Sequence, residues 1–381
     1  MREEMNPDQI RKLVDLKISK KGVGLNGVIK SIDQFMDHSV RTHHPAFLNQ
    51  FWGGWNPAAF GGEVISTLCQ TSMYTYELAP VAILIELELL RKLCGLVGGD
   101  FKDGSGVFTT GGSNGNMLGL LCARQAMFPD SLQQGCDGSK LCFFVSEEAH
   151  YSTLMAANVL GLGYSNVIKV KTDNDGRMDI SELNKEVEKA KAAGKTPLAV
   201  VGTAGTTVRG AFDPMRGISD VCKNHGMWFH VDAAWGGSIL FSPKYRHHMD
   251  GADLADSVAW DIHKMMGIPL MCSSFLIKNV PLLKTVCGHS QTAHYLLHKD
   301  REDLDLGHRS LQCGRRNDAL KGWLEWKEKG DEGFAKVVET YIENADYVEA
   351  KVKENPRLEM MSERVYANVN MRYNPTPGVK T

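Results

Sequence analysis

Residues 198–237 read LAVVGTAGTTVRGAFDPMRGISDVCKNHGMWFHVDAAWGG. Residues 198–201 and 227–231 are short apolar runs of strand character, and residues 215–225 between them read as a helix. A strand, a helix and a second strand in this order make a parallel crossover unit. The same alternation extends on both sides. Further strand-like runs fall at 106–109, 141–145, 166–170, 257–260 and 272–277. Helical stretches fall at 116–128, 151–160 and 180–193. The pattern predicts an α/β fold, a mostly parallel seven-stranded sheet covered by helices on both faces. Ligands of such sheets bind beyond the carboxyl ends of the strands.

Outside this region the chain is less regular. Residues 7–17 predict a short amphipathic helix, and 77–97 a long helix with a wide apolar face. Residues 41–75, rich in Gly, aromatics and amides, predict an irregular packed arm. Helical character returns at 319–354, and 364–381 reads as the opening strand of a further unit. The expected division is an N-terminal arm (1–75), a large cofactor-binding domain (76–290) and a C-terminal part (291–381) that stops inside a small domain.

Composition excludes several classes. The 381 residues are 43% hydrophobic and 23% charged with a net charge of −2, as in globular proteins rather than disordered, collagenous or coiled-coil chains. Lys and Arg are interleaved with acids, so the basic face that nucleic acid requires is lacking. The longest apolar run, 78–85, is far shorter than the ~20 residues of a membrane helix. The start MREEMNPDQI has no apolar signal region, and the reading is a cytoplasmic protein. Nine cysteines, odd in number and with no CxxC pair, read as reduced thiols rather than a disulfide frame or a zinc site.

Four segments carry chemistry. The strand of MWFHVDAAWGG ends in Asp232, an acid that is costly to bury alone. Small residues follow it, where a flat group could lie. By itself Asp232 reads equally as a helix cap or a metal ligand. In SVAWDIHKMMG, Lys264 stands among apolar residues beside His263. A buried lysine becomes a Schiff-base nucleophile, although a snorkelling surface lysine is the commoner case. TTGGSNGNM (109–117) follows a predicted strand and opens a predicted helix. That is an anion cup or an ordinary Gly-rich turn. His150 in EEAHYS follows another strand and could stack on a ligand or serve structure alone. Together they supply a phosphate cup, a stacking ring, an acid and an imine-forming lysine on one rim. Those are the parts pyridoxal 5′-phosphate requires. The His294/His298 pair lacks the HExxH acid, so no metal is expected.

From about His44 to Pro375 the chain resembles the group II pyridoxal-phosphate decarboxylases of amino acids, within the branch of glutamate, cysteine-sulfinate and aspartate decarboxylases. The resemblance is carried by HPAFLNQ (44–50), TSMYTYELAP (71–80), GGSNGNM (111–117), HYS (150–152), TAGTTVRGAFDP (203–214), HVDAAWGGS (230–238), the His263-Lys264 pair and LQCGRRND (311–318). It implies a fold type I homodimer with active sites shared between subunits. Lys264 would hold the cofactor as an imine and Asp232 would pair with its ring nitrogen. His150 would stack on one ring face and Ala234 on the other, with Thr203 near the phenolic oxygen or the substrate. Ser113, Asn114 and Gly115 would cup the phosphate, with His263 close by. Gln50, Phe51, Trp52, Ser72 and Tyr74 would line the substrate pocket.

The chain departs from the family pattern at three places. It stops before the C-terminal arginine that binds the substrate carboxylate. Its segment 296–308 lacks the family's loop tyrosine, a loss that favours side reactions. Asp261-Ile262 stands where Asn-Pro is usual, and an acid near a phosphate is unfavourable unless protonated or turned away. Ser72 and Tyr74 resemble cysteine-sulfinate decarboxylases more than glutamate decarboxylases, and the bulky Trp52 favours a shorter acidic substrate. The expected reaction is α-decarboxylation of cysteine sulfinate to hypotaurine or aspartate to β-alanine, ahead of glutamate. The alternatives are an aminotransferase or aldehyde-forming enzyme of the same fold, or a homologue with impaired catalysis.

Overall fold

The computed structural model describes residues 5–42, 44, 47–48, 51–52, 54, 56–288 and 301–375. Contacts divide the chain into Met1–Gln50 and Phe51–Thr381. The first unit holds helices α1 (Pro7–Leu13) and α2 (Gly24–His38). Asn6 caps α1 in a reciprocal box with Gln9. The helix expected over 7–17 ends early because Val14 is already extended.

In the second unit the helices are α3 (Pro57–Cys69), α4 (Pro80–Val97), α5 (Gly112–Met127), the single turn α6 (Ser131–Gln134), α7 (Ser152–Val159), α8 (Ile180–Ala192), α9 (Met215–His225), α10 (Val280–Cys287) and α11 (Ala319–Glu354). The strands are β1 (Ser105–Thr109), β2 (Leu141–Ser146), β3 (Val167–Val170), β4 (Thr196–Thr203), β5 (Trp228–Asp232), β6 (Ser257–Trp260), β7 (Ser273–Ile277), β8 (Leu358–Met360) and β9 (Met371–Tyr373). Seven strands form one sheet in the order β1-β7-β6-β5-β4-β2-β3. Only β7 runs against its neighbours. The mostly parallel sheet expected from the alternation is therefore present.

The period of two along each strand explains the layering. Cys142 and Phe144 of β2 and Val200 of β4 enter one core with α4, α8, α9 and α11. Phe143, Val145, Ala199 and Val201 enter the other with α5 and α7. Both faces are apolar and both are covered, as parallel sheets require. Each Val or Phe among them contributes ~1.5–3 kcal/mol by burial.

Two stretches differ from expectation. The arm over 41–75 contains the regular helix α3. Asn56 caps it by accepting the Ala59 N–H at 2.9 Å, and Pro57 starts it. Its glycines read as turn signals, but Gly62 serves close packing. A Cβ there would meet the Lys321 Cα of α11 at 2.8 Å. The strand expected in 364–381 is β9, which pairs antiparallel with β8 just upstream. Helix α11 breaks its geometry once, at Gly330 with φ 64°. Among the described residues no helix is long and apolar enough to cross a membrane.

Candidate active site

Strands β1, β2, β4, β5 and β6 run the same way, so their carboxyl ends share one rim. Thr203, the last residue of β4, is the register partner of Asp232, the last of β5. Asp232 is paired in turn with Ala259 on β6. Just past β6 come Asp261, His263 and Lys264. Past β1 comes the turn into α5, where Gly111 at φ 129° takes a backbone that side-chain-bearing residues rarely adopt. Past β2 comes His150.

These ends enclose a cavity of about 240 Å³. Ser113, His150, Thr203, Asp232, Ala234, His263 and Lys264 all line it, so seven residues singled out in the sequence meet in space. Asn114 and Gly115 sit in the same first turn of α5 but outside the lining. Gly115 lets α5 approach the sheet, since a Cβ would lie 2.8 Å from the Ala259 Cβ. Phe51 packs on the lining residue Trp235, ring centroids 4.6 Å apart. Trp52 is half-buried near it in sequence. Ser72 bridges to Arg316, and the Tyr74 carbonyl accepts the Gly307 N–H at 2.9 Å. Both stand apart from the lining. Gln50 lies outside the described residues.

The acid is held by a relay that spacing did not disclose. Asp232 Oδ2 accepts Asn116 Nδ2 at 2.8 Å, and its Oδ1 accepts the Ala234 N–H at 3.1 Å. Asn116 Oδ1 lies 3.0 Å from His230 Nε2, and His230 Nδ1 lies 2.8 Å from Ser257 Oγ. Trp228 Nε1 donates to that same oxygen at 2.9 Å. Donors run consistently from Trp228 through Ser257, His230 and Asn116 to Asp232, which assigns the proton on His230 to Nε2. Complete burial pushes the His230 pKa down to about 4 despite the opposing charge of Asp232. The His230 imidazole is therefore a neutral member of the relay.

Burial also lowers the pKa of His150, against the pull of Asp232. The ring is neutral near pH 7, which suits stacking on a flat group. His263 is lowered by burial as well, and its Nδ1 lies 2.9 Å from the Cys272 carbonyl oxygen and 3.1 Å from the Cys272 nitrogen. Lys264 Nζ lies 3.3 Å from Asp261 Oδ2.

These residues fit the cofactor that the resemblance implies. Among the described residues Thr203 Oγ1 is buried without a hydrogen-bond partner, an open position for a ligand oxygen. Gly112 has no room for a side chain, because a Cβ would meet the Ala234 Cβ at 2.9 Å. Backbone can thus come close to a bound anion at the start of a 16-residue helix. An amine, a carboxylate and a neutral imidazole face one space.

Comparison with known proteins agrees. The profile of the pyridoxal-dependent decarboxylase conserved domain matches residues 7–374. Cysteine sulfinic acid decarboxylase of Mus musculus is 41% identical over 371 residues, covering 96% of this chain and 75% of the relative. Acidic amino acid decarboxylase GADL1 of Xenopus tropicalis is 39% identical, covering 98% and 73%. The crystal structure of mouse CSAD superposes with a TM-score of 0.92 at 40% identity, covering 98% of this chain and 78% of that one. By profile, sequence and fold alike, this chain belongs to the pyridoxal-dependent decarboxylase family and is a fold type I carboxy-lyase whose cofactor is pyridoxal 5′-phosphate.

Proposed function

We propose that the protein removes the α-carboxylate of a small acidic amino acid, cysteine sulfinate or aspartate ahead of glutamate. The observation that carries this reading is the convergence of Lys264, Asp232 and His150 on one cavity beside the start of α5. The relatives named for cysteine sulfinic acid and acidic amino acids support the substrate class.

When bound, the cofactor supplies an electron sink for the pair left by the departing carboxylate. Lys264 provides the amine that anchors the cofactor's aldehyde. Asp232, fixed on both oxygens, holds a proton at the ring nitrogen. His150 presents a neutral ring to one face, and Ala234 leaves the other face open to close approach. Ser113 and the first-turn N–H groups of α5 take the phosphate. Thr203 Oγ1 bonds the phenolic oxygen or the substrate. Asn114, Gly115 and His263 complete the surroundings of the phosphate. Gln50, Phe51, Trp52, Ser72 and Tyr74 are assigned to the substrate side.

The working unit is a homodimer with shared active sites. Supporting this, Val64 and Leu68 of α3 and Val81 and Leu84 of α4 are exposed apolar side chains of the kind a partner subunit covers. Sedimentation at micromolar concentration is expected to give twice the chain mass, and a monomer bearing full activity would exclude shared sites. A cytoplasmic location follows from the same reading, supported by cysteines that are all unpaired. Decarboxylation rates measured side by side for the three acids test the substrate order, which a preference for glutamate would overturn.

A further inference from the structure

Asp261 introduces a charge that works against the ligand of this cavity. It follows β6 directly, is 3% exposed and lines the cavity. Its Oδ1 accepts a short hydrogen bond from Ser273 Oγ, 2.5 Å. Its Oδ2 lies 3.3 Å from Lys264 Nζ and 3.9 Å from His263 Nε2. A Cβ on Gly112 would fall 2.8 Å from that same oxygen. The carboxylate therefore rests against the first residue of α5, where a helix offers its N–H groups to an anion. Lys264 is the only Lys or Arg among the described lining residues, and Asp261 already holds it.

Resting on the reading of this cavity as the cofactor site, we propose that Asp261 is a built-in anion that competes with the cofactor's phosphate for the mouth of α5. Its consequence is weak, exchangeable cofactor binding. A phosphate at the mouth of α5 would sit beside a like charge that Ser273 anchors. That charge opposes capture of the phosphorylated cofactor and has no bearing on a ligand that lacks the phosphate.

The test is the dissociation constant of pyridoxal 5′-phosphate and of phosphate-free pyridoxal, read by quenching of tryptophan fluorescence in the full chain and in Asp261→Asn. Relieving a like charge at this range is expected to tighten pyridoxal 5′-phosphate binding by about ten-fold or more, with pyridoxal changed less than about two-fold. Unchanged or weaker binding of the phosphorylated form overturns the proposal. So does an equal gain for pyridoxal, which would place the effect on Lys264 alone. If neither protein binds pyridoxal 5′-phosphate, the cofactor-site reading fails together with the proposal. Asp261→Ser serves as a second variant should the asparagine form melt well below the parent, and the same gain is expected of it.

Discussion

Two side chains, Asp232 and Lys264, define the site at the level of single residues. Removal of Lys264 as Lys264→Ala is expected to abolish the visible absorbance that appears on adding pyridoxal 5′-phosphate, and persistence of the band would assign the amine to another lysine. Asn116 is a positioning residue, because it acts by aiming Asp232. Asn116→Ala deletes a hydrogen bond to a charged group, worth ~1.5–3 kcal/mol. If that energy is used in the transition state, kcat falls by roughly 10- to 100-fold. The absorbance band should survive in this variant, since the lysine is untouched. A wild-type kcat would show that Asp232 needs no such support. Lys264 and Asp232 stood out in the sequence because each lies in a distinctive motif at or just past a strand-like run, and both line the cavity. The relay did not, since Asn116 and His230 are 114 positions apart and a buried histidine on a strand has no local signature.

Close approach and buried charge, rather than propensity, govern the helices around the site. Helix α3 meets α11 at Gly62, and Gly62→Ala forces its Cβ to 2.8 Å from the Lys321 backbone. Overpacking of this kind costs ~1–3 kcal/mol, so the denaturant midpoint should drop, and an unchanged midpoint would mean the helices separate freely. The motif LQCGRRND finds its purpose in Arg315, whose Nη1 lies 2.9 Å from Glu86 Oε2, both side chains buried. Glu86 Oε1 also accepts the Phe108 N–H of β1 at 3.0 Å. Arg315→Ala leaves that carboxylate buried without its cation, a loss of ~3–5 kcal/mol, visible in chemical denaturation. Strand and helix order in 105–277 was legible because apolar runs alternate with amphipathic ones. Helix α3 was hidden, since a glycine for packing and a glycine for turning look alike in one sequence.

For the molecule as a whole, Glu325 of α11 is a buried acid that ties stability to pH. Burial raises its pKa to about 8, against the nearby Lys329. The folded state thus holds a proton that the unfolded chain releases near pH 4.5, the ordinary value for this group. The associated stability is full below that value and is lost as pH rises through about 8. Glu325→Gln should flatten the fall of melting temperature across this window, and parallel curves for the two proteins would remove Glu325 from the account. Substrate class was legible at this scale only through resemblance, because one methylene in a pocket is worth just ~1–3 kcal/mol and leaves little trace in composition. The central claim is that this fold, with these strand-end residues, performs a decarboxylation. Its most direct test is release of labelled carbon dioxide from carboxyl-labelled cysteine sulfinate, aspartate and glutamate by protein saturated with pyridoxal 5′-phosphate, with the amine product counted alongside. The account predicts carbon dioxide and amine in equal amounts, fastest from cysteine sulfinate or aspartate and absent in Lys264→Ala. Cofactor bound without carbon dioxide release, or release with an aldehyde in place of the amine, would contradict it.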